Sequence, residues 1–114
     1  MLAGFHSVGL SADPILTVIQ RAAAAGYDAI ELNAETLPWT GPHVTPATPP
    51  EERAAIREAA ALNGLVISAV GAHVAMVEDD AEARRKAIAF VDGCTDLAVD
   101  VGAPVVHILS GPAP

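Results

Sequence analysis

The sequence predicts an α/β fold built from parallel βα units, and three observations carry that expectation. Gly26, Gly64 and Gly102 recur at one equal interval, and each closes a helical pattern ahead of an apolar run, in AGYDAIEL, NGLVISAV and VGAPVVHIL. Equal spacing of helix stops before apolar strands is what repeated βα units produce. The run from Leu65 to Val70 is almost wholly apolar, as a strand covered on both faces must be. When the three units are aligned on their glycines, Glu31, Ala69 and His107 share one position, and Glu35, His73 and Gly111 share another on the same strand face. The positions beside them, Ile30, Leu32, Val106 and Ile108, are apolar. Side chains alternate along a strand, so one face is polar and the other suits helix contact. A doubly wound open sheet and a (β/α)₈ barrel share the period. The polar face near the strand exits favours the interior of a barrel mouth.

In chain order, residues 3–8 (AGFHSV) form the predicted first strand, closed by Gly9. Asp13 and Pro14 supply an N-cap and a first-turn proline, and Ile15, Ile19 and Ala22 give an apolar helical face ending at Gly26. Residues 28–32 form a second strand. The segment 33–48 follows, with Pro38, Pro42 and Pro46 and no period of its own; loops of that length are uncommon in compact domains and tend to be functional. Thr48 and Glu51 fit a capping box for a helix to Leu62, stopped by Asn63-Gly64. Gly64 to Met76 contains the third strand, ending in Gly71, Ala72 and His73 at the carboxyl end, where parallel α/β folds place ligands. Asp79 or Asp80 starts a third helix to Val101, with Ala87, Val91, Cys94, Ala98 and Val101 on its apolar side. Asp92, Asp96 and Asp100 form a stripe read as a solvated face. Gly93 weakens that helix but permits close packing. Residues 104–109 make a fourth strand, and the tail reads SGPAP.

A chain of 114 residues allows a single domain, with a net charge of −8 and a pI near 4.7. A surface that acidic repels phosphate backbones and anionic headgroups, which excludes nucleic acid and membrane as partners. The one cysteine, Cys94, rules out an internal disulfide framework and suits a reducing compartment. No apolar run approaches the roughly 18 residues of a membrane span, and the start MLAGFHSVGL lacks a basic signal region. The expected setting is cytoplasmic and soluble. Walker, GxGxxG, CxxC zinc and GxSxG patterns are all absent from the sequence.

The segments GYDAIELNAE, GLVISAVGAH and DVGAPVVHILSG resemble the second, third and fourth strands of the sugar phosphate isomerase/epimerase family, the xylose-isomerase-like TIM barrels. Such a barrel needs about 250 residues, so the resemblance implies that residues 1–114 form a parallel (β/α) half-barrel of four strands and three helices, the amino-terminal half of one. It further implies metal-assisted proton transfer next to the carbonyl of small ketoses or aldoses, with Mg²⁺, Mn²⁺ or a similar ion. In the family the catalytic and metal-binding carboxylates come largely from the second half. No catalytic residue or metal ligand is therefore assigned here, and metal binding by this chain alone is not expected. The related endonuclease branch uses a histidine near the position of Leu109; that departure and the acidic charge argue against it.

The residues expected to meet a sugar or sugar-phosphate substrate are His6, Glu31, Asn33, Glu35, Trp39, His73 and Ser110. His73 resembles the family's histidine after the third strand, and neutral imidazole suits metal or substrate. Glu31, a carboxylate in a strand interior, must be paired, and could equally hold neighbouring strands. His6 and His107 also read as satisfied core histidines. In the long loop, Asn33, Glu35, Trp39 and His43 either cover a substrate, with Trp39 stacking on it, or stiffen the connection. Ser110-Gly111 offers donors to a hydroxyl or phosphate, or is a simple turn. A rival reading is a noncatalytic α/β module in which the Pro-rich loop and His73 bind a metabolite or partner. Open edges at the first and fourth strands favour association, including with a complementary half-barrel.

Overall fold

Gly26, Gly64 and Gly102 all take the left-handed conformation, with φ of 89°, 70° and 82°. That geometry stops a helix at little cost only when Cβ is absent, so the repeat seen in the sequence is a repeat of helix ends. The computed structural model describes residues 1–111; the last three residues of the SGPAP tail lie outside the described residues. Its elements are β1 (Gly4–His6), α1 (Ile15–Ala24), β2 (Ala29–Asn33), α2 (Pro50–Leu62), β3 (Val66–Ala75), α3 (Ala81–Val101) and β4 (Val106–Leu109). The strands form one sheet in the order β1-β2-β3-β4, every pair parallel. This is the predicted (β/α) half-barrel.

The helices cover one face of the sheet. Ile30 and Leu32 of β2 and Ile67, Val70 and Ala72 of β3 join Val18, Ile19, Ile56, Ala60, Leu97 and Val101 of the helices in a single buried cluster. Val44 of the long loop is buried with them, which anchors a segment that has no regular structure of its own.

Several boundaries differ from expectation for local reasons. The first strand ends at His6, because residues Ser7–Leu10 wind into a 3-10 turn in which the Val8 N–H donates to His6 Nδ1 at 3.2 Å. Asp13 does not cap α1; its carboxylate pairs with Arg21, and the position before the helix is Pro14. The Thr48–Glu51 capping box does not form. Thr48 Oγ1 instead accepts from the Thr45 N–H at 2.8 Å, and Arg53 donates to the carbonyls of Thr48 (2.7 Å) and Pro46 (2.6 Å). Asp80 does cap α3, its Oδ2 accepting from the Ala83 N–H at 2.7 Å. β4 begins at Val106, two residues after the expected start.

The register corrects the glycine alignment. Glu31 lies opposite Ala69 as expected, but His107 lies opposite Gly71. β3 carries extra residues between Ile67 and Ala69 and between Gly71 and Ala75 relative to its neighbours. Such irregularities bend a strand and re-aim its side chains, and His73 sits inside the second one.

The Asp92, Asp96 and Asp100 stripe is exposed, and Asp100 accepts from Arg53 at 2.8 Å. On the packed side of α3, a Cβ on Gly93 would stand 2.7 Å from Pro46 Cβ. A proline ring cannot swing away, so Gly93→Ala is expected to destabilise by about 1–3 kcal/mol through overpacking, against a gain of at most about 1 kcal/mol in helix propensity; urea denaturation reads the sign. Cys94 is fully buried, and burial pushes its thiol up from 9.0 to about 11. A raised thiol stabilises the fold fully below pH 9 and loses that contribution as pH climbs through 11. A thiol reagent at pH 8 is expected to leave native Cys94 unmodified and to label it once urea unfolds the chain.

Among the described residues, no helix is long and apolar enough to cross a membrane. Val105, Ile108 and Leu109, in and beside β4 at the end of the sheet, are exposed.

Candidate functional site

The inner face of the sheet carries a cluster to which every strand or its exit contributes. Glu31 Oε1 on β2 lies 3.6 Å from His6 Nε2 (β1), 3.3 Å from His73 Nε2 (β3) and 3.1 Å from His107 Nδ1 (β4). Glu35, just beyond β2, places Oε2 3.4 Å from His73 Nδ1. The His6 and His73 rings stack with centroids 5.3 Å apart, and the His73 and His107 rings meet edge to face at 4.4 Å. β1 and β3 are separated by β2, so their backbones in a flat sheet would stand roughly 9.5 Å apart. Ring contact across that gap fits a sheet curled toward this face.

Gly71 makes the crowding possible. A Cβ there would lie 2.8 Å from both Glu31 Oε1 and His73 Cε1. The position needs the absence of a side chain for space, not for backbone conformation.

Burial is graded across the cluster. The side chain of His73 is 14% exposed and that of Glu31 22%, whereas His107 is 51% exposed. The cluster is thus walled on the β2–β3 side and open beside β4. A cavity of about 330 Å³ adjoins it, lined by Glu35, His73, Thr45 and Phe90 among others. Burial holds the His6 imidazole below its ordinary 6.5; the Glu31 charge opposes this in part and neighbouring His73 reinforces it. The neutral ring is therefore favoured.

Of the seven residues expected to meet substrate, the structure brings His6, Glu31, Glu35 and His73 together. Asn33 stands behind them, 1% exposed. Its Nδ2 donates to the Glu35 carbonyl at 3.0 Å and its Oδ1 accepts from the Glu35 N–H at 3.4 Å, so it fixes the backbone that carries Glu35. Trp39 is 73% exposed on a turn where Leu37 and Thr40 pair, outside the cluster. Ser110 is exposed past β4, its carbonyl accepting from the Val77 N–H at 2.8 Å.

His43 has a structural place. Ser7 Oγ accepts from the Asn33 N–H at 2.8 Å, which leaves its hydroxyl proton to donate to His43 Nδ1 at 2.9 Å. His43 Nε2–H then donates to the Asp13 carbonyl at 3.1 Å. This relay ties the exits of β1 and β2 to the long loop and to the start of α1. Ser7, fully buried, carried no signal in the sequence.

The core-histidine alternative is set aside for His6 and His107, since neither is buried. His107 joins the cluster although it is not among the residues expected to meet substrate; its position on the face shared with Glu31 is the available signal. One ring nitrogen each of His6 and His73 and a carboxylate oxygen of Glu31 lie within 4.8 Å of one another.

A family model of the xylose isomerase-like TIM barrel matches residues 19–114. The chain belongs to the xylose isomerase-like TIM-barrel family. Among solved structures, a xylose isomerase-like TIM barrel/4-hydroxyphenylpyruvate dioxygenase fusion protein superposes with a TM-score of 0.69 at 20% identity, over 95% of this chain and 16% of that one. At that identity the likeness concerns the fold, and the chain spans 16% of that protein's length. No curated protein matches.

Proposed function

We propose that this chain forms one wall of the active site of a sugar or sugar-phosphate isomerase/epimerase that moves a proton next to the carbonyl of a small ketose or aldose. The observation that carries the reading is the convergence of imidazoles from three strands on the Glu31 carboxylate, at the strand ends where barrels of this kind bind ligands. Imidazoles beside a carboxylate, partly open to solvent, have the donor chemistry of a divalent-metal site, and Glu31 and His73 are the residues best placed to hold the ion. A bound metal would polarise the substrate carbonyl and so acidify the adjacent C–H. On this reading Glu35 and Asn33 keep His73 oriented, and the open side by His107 admits the sugar. The carboxylates that carry the proton belong to the remaining βα units of the barrel, reached through the free edges of β1 and β4 or supplied by a complementary half. The setting is cytoplasmic.

The test uses a protein carrying this chain together with those remaining units, incubated with ketoses, aldoses and their phosphates in deuterated water. The expected result is deuterium incorporation at the carbon beside the carbonyl, lowered by at least about tenfold in Glu31→Gln, as for loss of a positioned polar group. Binding of a sugar without exchange by any substrate class would support the noncatalytic module and end the isomerase reading.

A further inference from the structure

The atoms around Glu31 are not equivalent as metal ligands, and their hydrogen bonds sort them. His6 Nδ1 accepts from the Val8 N–H, so the proton of the neutral ring sits on Nε2, the atom that faces Glu31 at 3.6 Å. That atom carries the ring proton and has no lone pair to offer a cation. His73 lies between two carboxylates, its Nδ1 3.4 Å from Glu35 Oε2 and its Nε2 3.3 Å from Glu31 Oε1; in the tautomer with its proton on Nδ1, the Nε2 lone pair is directed at Glu31 and His107. A histidine whose far nitrogen is held by a carboxylate is the usual arrangement behind a metal ligand.

His73 Nε2, His107 Nδ1 and Glu31 Oε1 then form a small triangle with edges of 3.0, 3.1 and 3.3 Å. Ligand atoms about 2.0–2.1 Å from a tetrahedral ion stand roughly 3.3–3.4 Å apart, so the triangle needs only slight expansion to accept one. With the His73 proton on Nδ1, the three atoms share at most the single proton of His107 Nδ1.

We propose that Glu31, His73 and His107 form a three-ligand site for a Zn²⁺-class ion, complete within this chain, with His6 and Glu35 as positioning residues for Glu31 and His73. Two imidazoles and one carboxylate suit Zn²⁺, Co²⁺ or Ni²⁺, whereas Mg²⁺ prefers oxygen ligands and its own waters. The exposed flank of His107 leaves the remaining coordination position open, as in catalytic sites and unlike closed structural ones. The proposal goes beyond the isomerase reading, because it concerns binding by this chain alone whatever reaction the larger protein performs.

The test adds Co²⁺ to the metal-free 114-residue chain and follows the visible d–d bands of low-coordinate Co²⁺, with far-UV circular dichroism confirming that each variant is folded. One equivalent is expected to bind, displaced by Zn²⁺ and not by excess Mg²⁺. Glu35→Gln and His6→Gln should weaken binding by about 10–100-fold, as loss of outer partners does, and His73→Asn and His107→Asn should abolish the bands. In the unmodified chain, Zn²⁺ should shift the imidazole nitrogen resonances of His73 Nε2 and His107 Nδ1 and leave His6 Nε2 protonated, a readout independent of variant folding. Absence of the bands, binding that survives His107→Asn, or a Zn²⁺-induced loss of the His6 Nε2 proton would each overturn the assignment. None of these outcomes bears on whether the longer protein exchanges deuterium into a sugar.

Discussion

Replacing Ser7 with alanine is expected to lower the unfolding free energy by roughly 2–4 kcal/mol. The Ser7 hydroxyl satisfies two groups, the Asn33 N–H at 2.8 Å and His43 Nδ1 at 2.9 Å, while being fully buried. Removing it leaves a buried donor and acceptor unpaired, at about 1–3 kcal/mol each with partial relaxation. Alanine also leaves too little room for water to restore both bonds. Urea denaturation measures the change, and a loss below about 0.5 kcal/mol would show that the relay contributes nothing to holding the loop. The effect should reach the site, because Asn33 fixes the backbone of Glu35 through the same turn.

Gly71→Ala is expected to do the opposite: little to stability and much to the site. The added methyl would occupy space 2.8 Å from Glu31 Oε1 and His73 Cε1. Both are the far ends of side chains that can rotate, and the Gly71 backbone has no positive φ to strain. The fold should survive with a change within about 1 kcal/mol, as for an overpacked site whose neighbours can move, while the carboxylate and the ring are driven apart. In two-dimensional NMR the contacts between the His73 and His107 rings, 4.4 Å apart in the native chain, should disappear while the amide spectrum elsewhere is kept. Persistence of those contacts in a folded Gly71→Ala protein would show that the His73 ring does not lie over Gly71.

Much of this architecture is legible in the sequence because glycine reports backbone geometry directly. Gly26, Gly64 and Gly102 end helices in the left-handed conformation, and their equal spacing announces the βα repeat before any strand is assigned. Strand alternation then places Glu31, Glu35 and His73 on one face. His107 is harder to judge because a lone histidine between Val106 and Ile108 resembles a core residue, and because β4 is offset in register along β3, pairing His107 with Gly71 and not Ala69. No sequence pattern foretells such an irregularity. The Ser7–His43–Asp13 relay joins residues distant in the chain whose types are ordinary for loops, so only the folded arrangement reveals it. Capping failed at Thr48 for a related reason: Arg53 and Thr45 offered competing partners that the short capping pattern does not contain.

The central claim is that the sheet curls enough to bring imidazoles from non-adjacent strands into contact over one carboxylate. Proton–proton contacts between the ring resonances of His6 and His73 test it most directly, since these rings lie 5.3 Å apart across an intervening strand. Cross-peaks between them are expected in the native chain and are lost on unfolding. Intact β1–β2 and β2–β3 backbone contacts with no His6–His73 ring contact would mean a flatter sheet, and would contradict it.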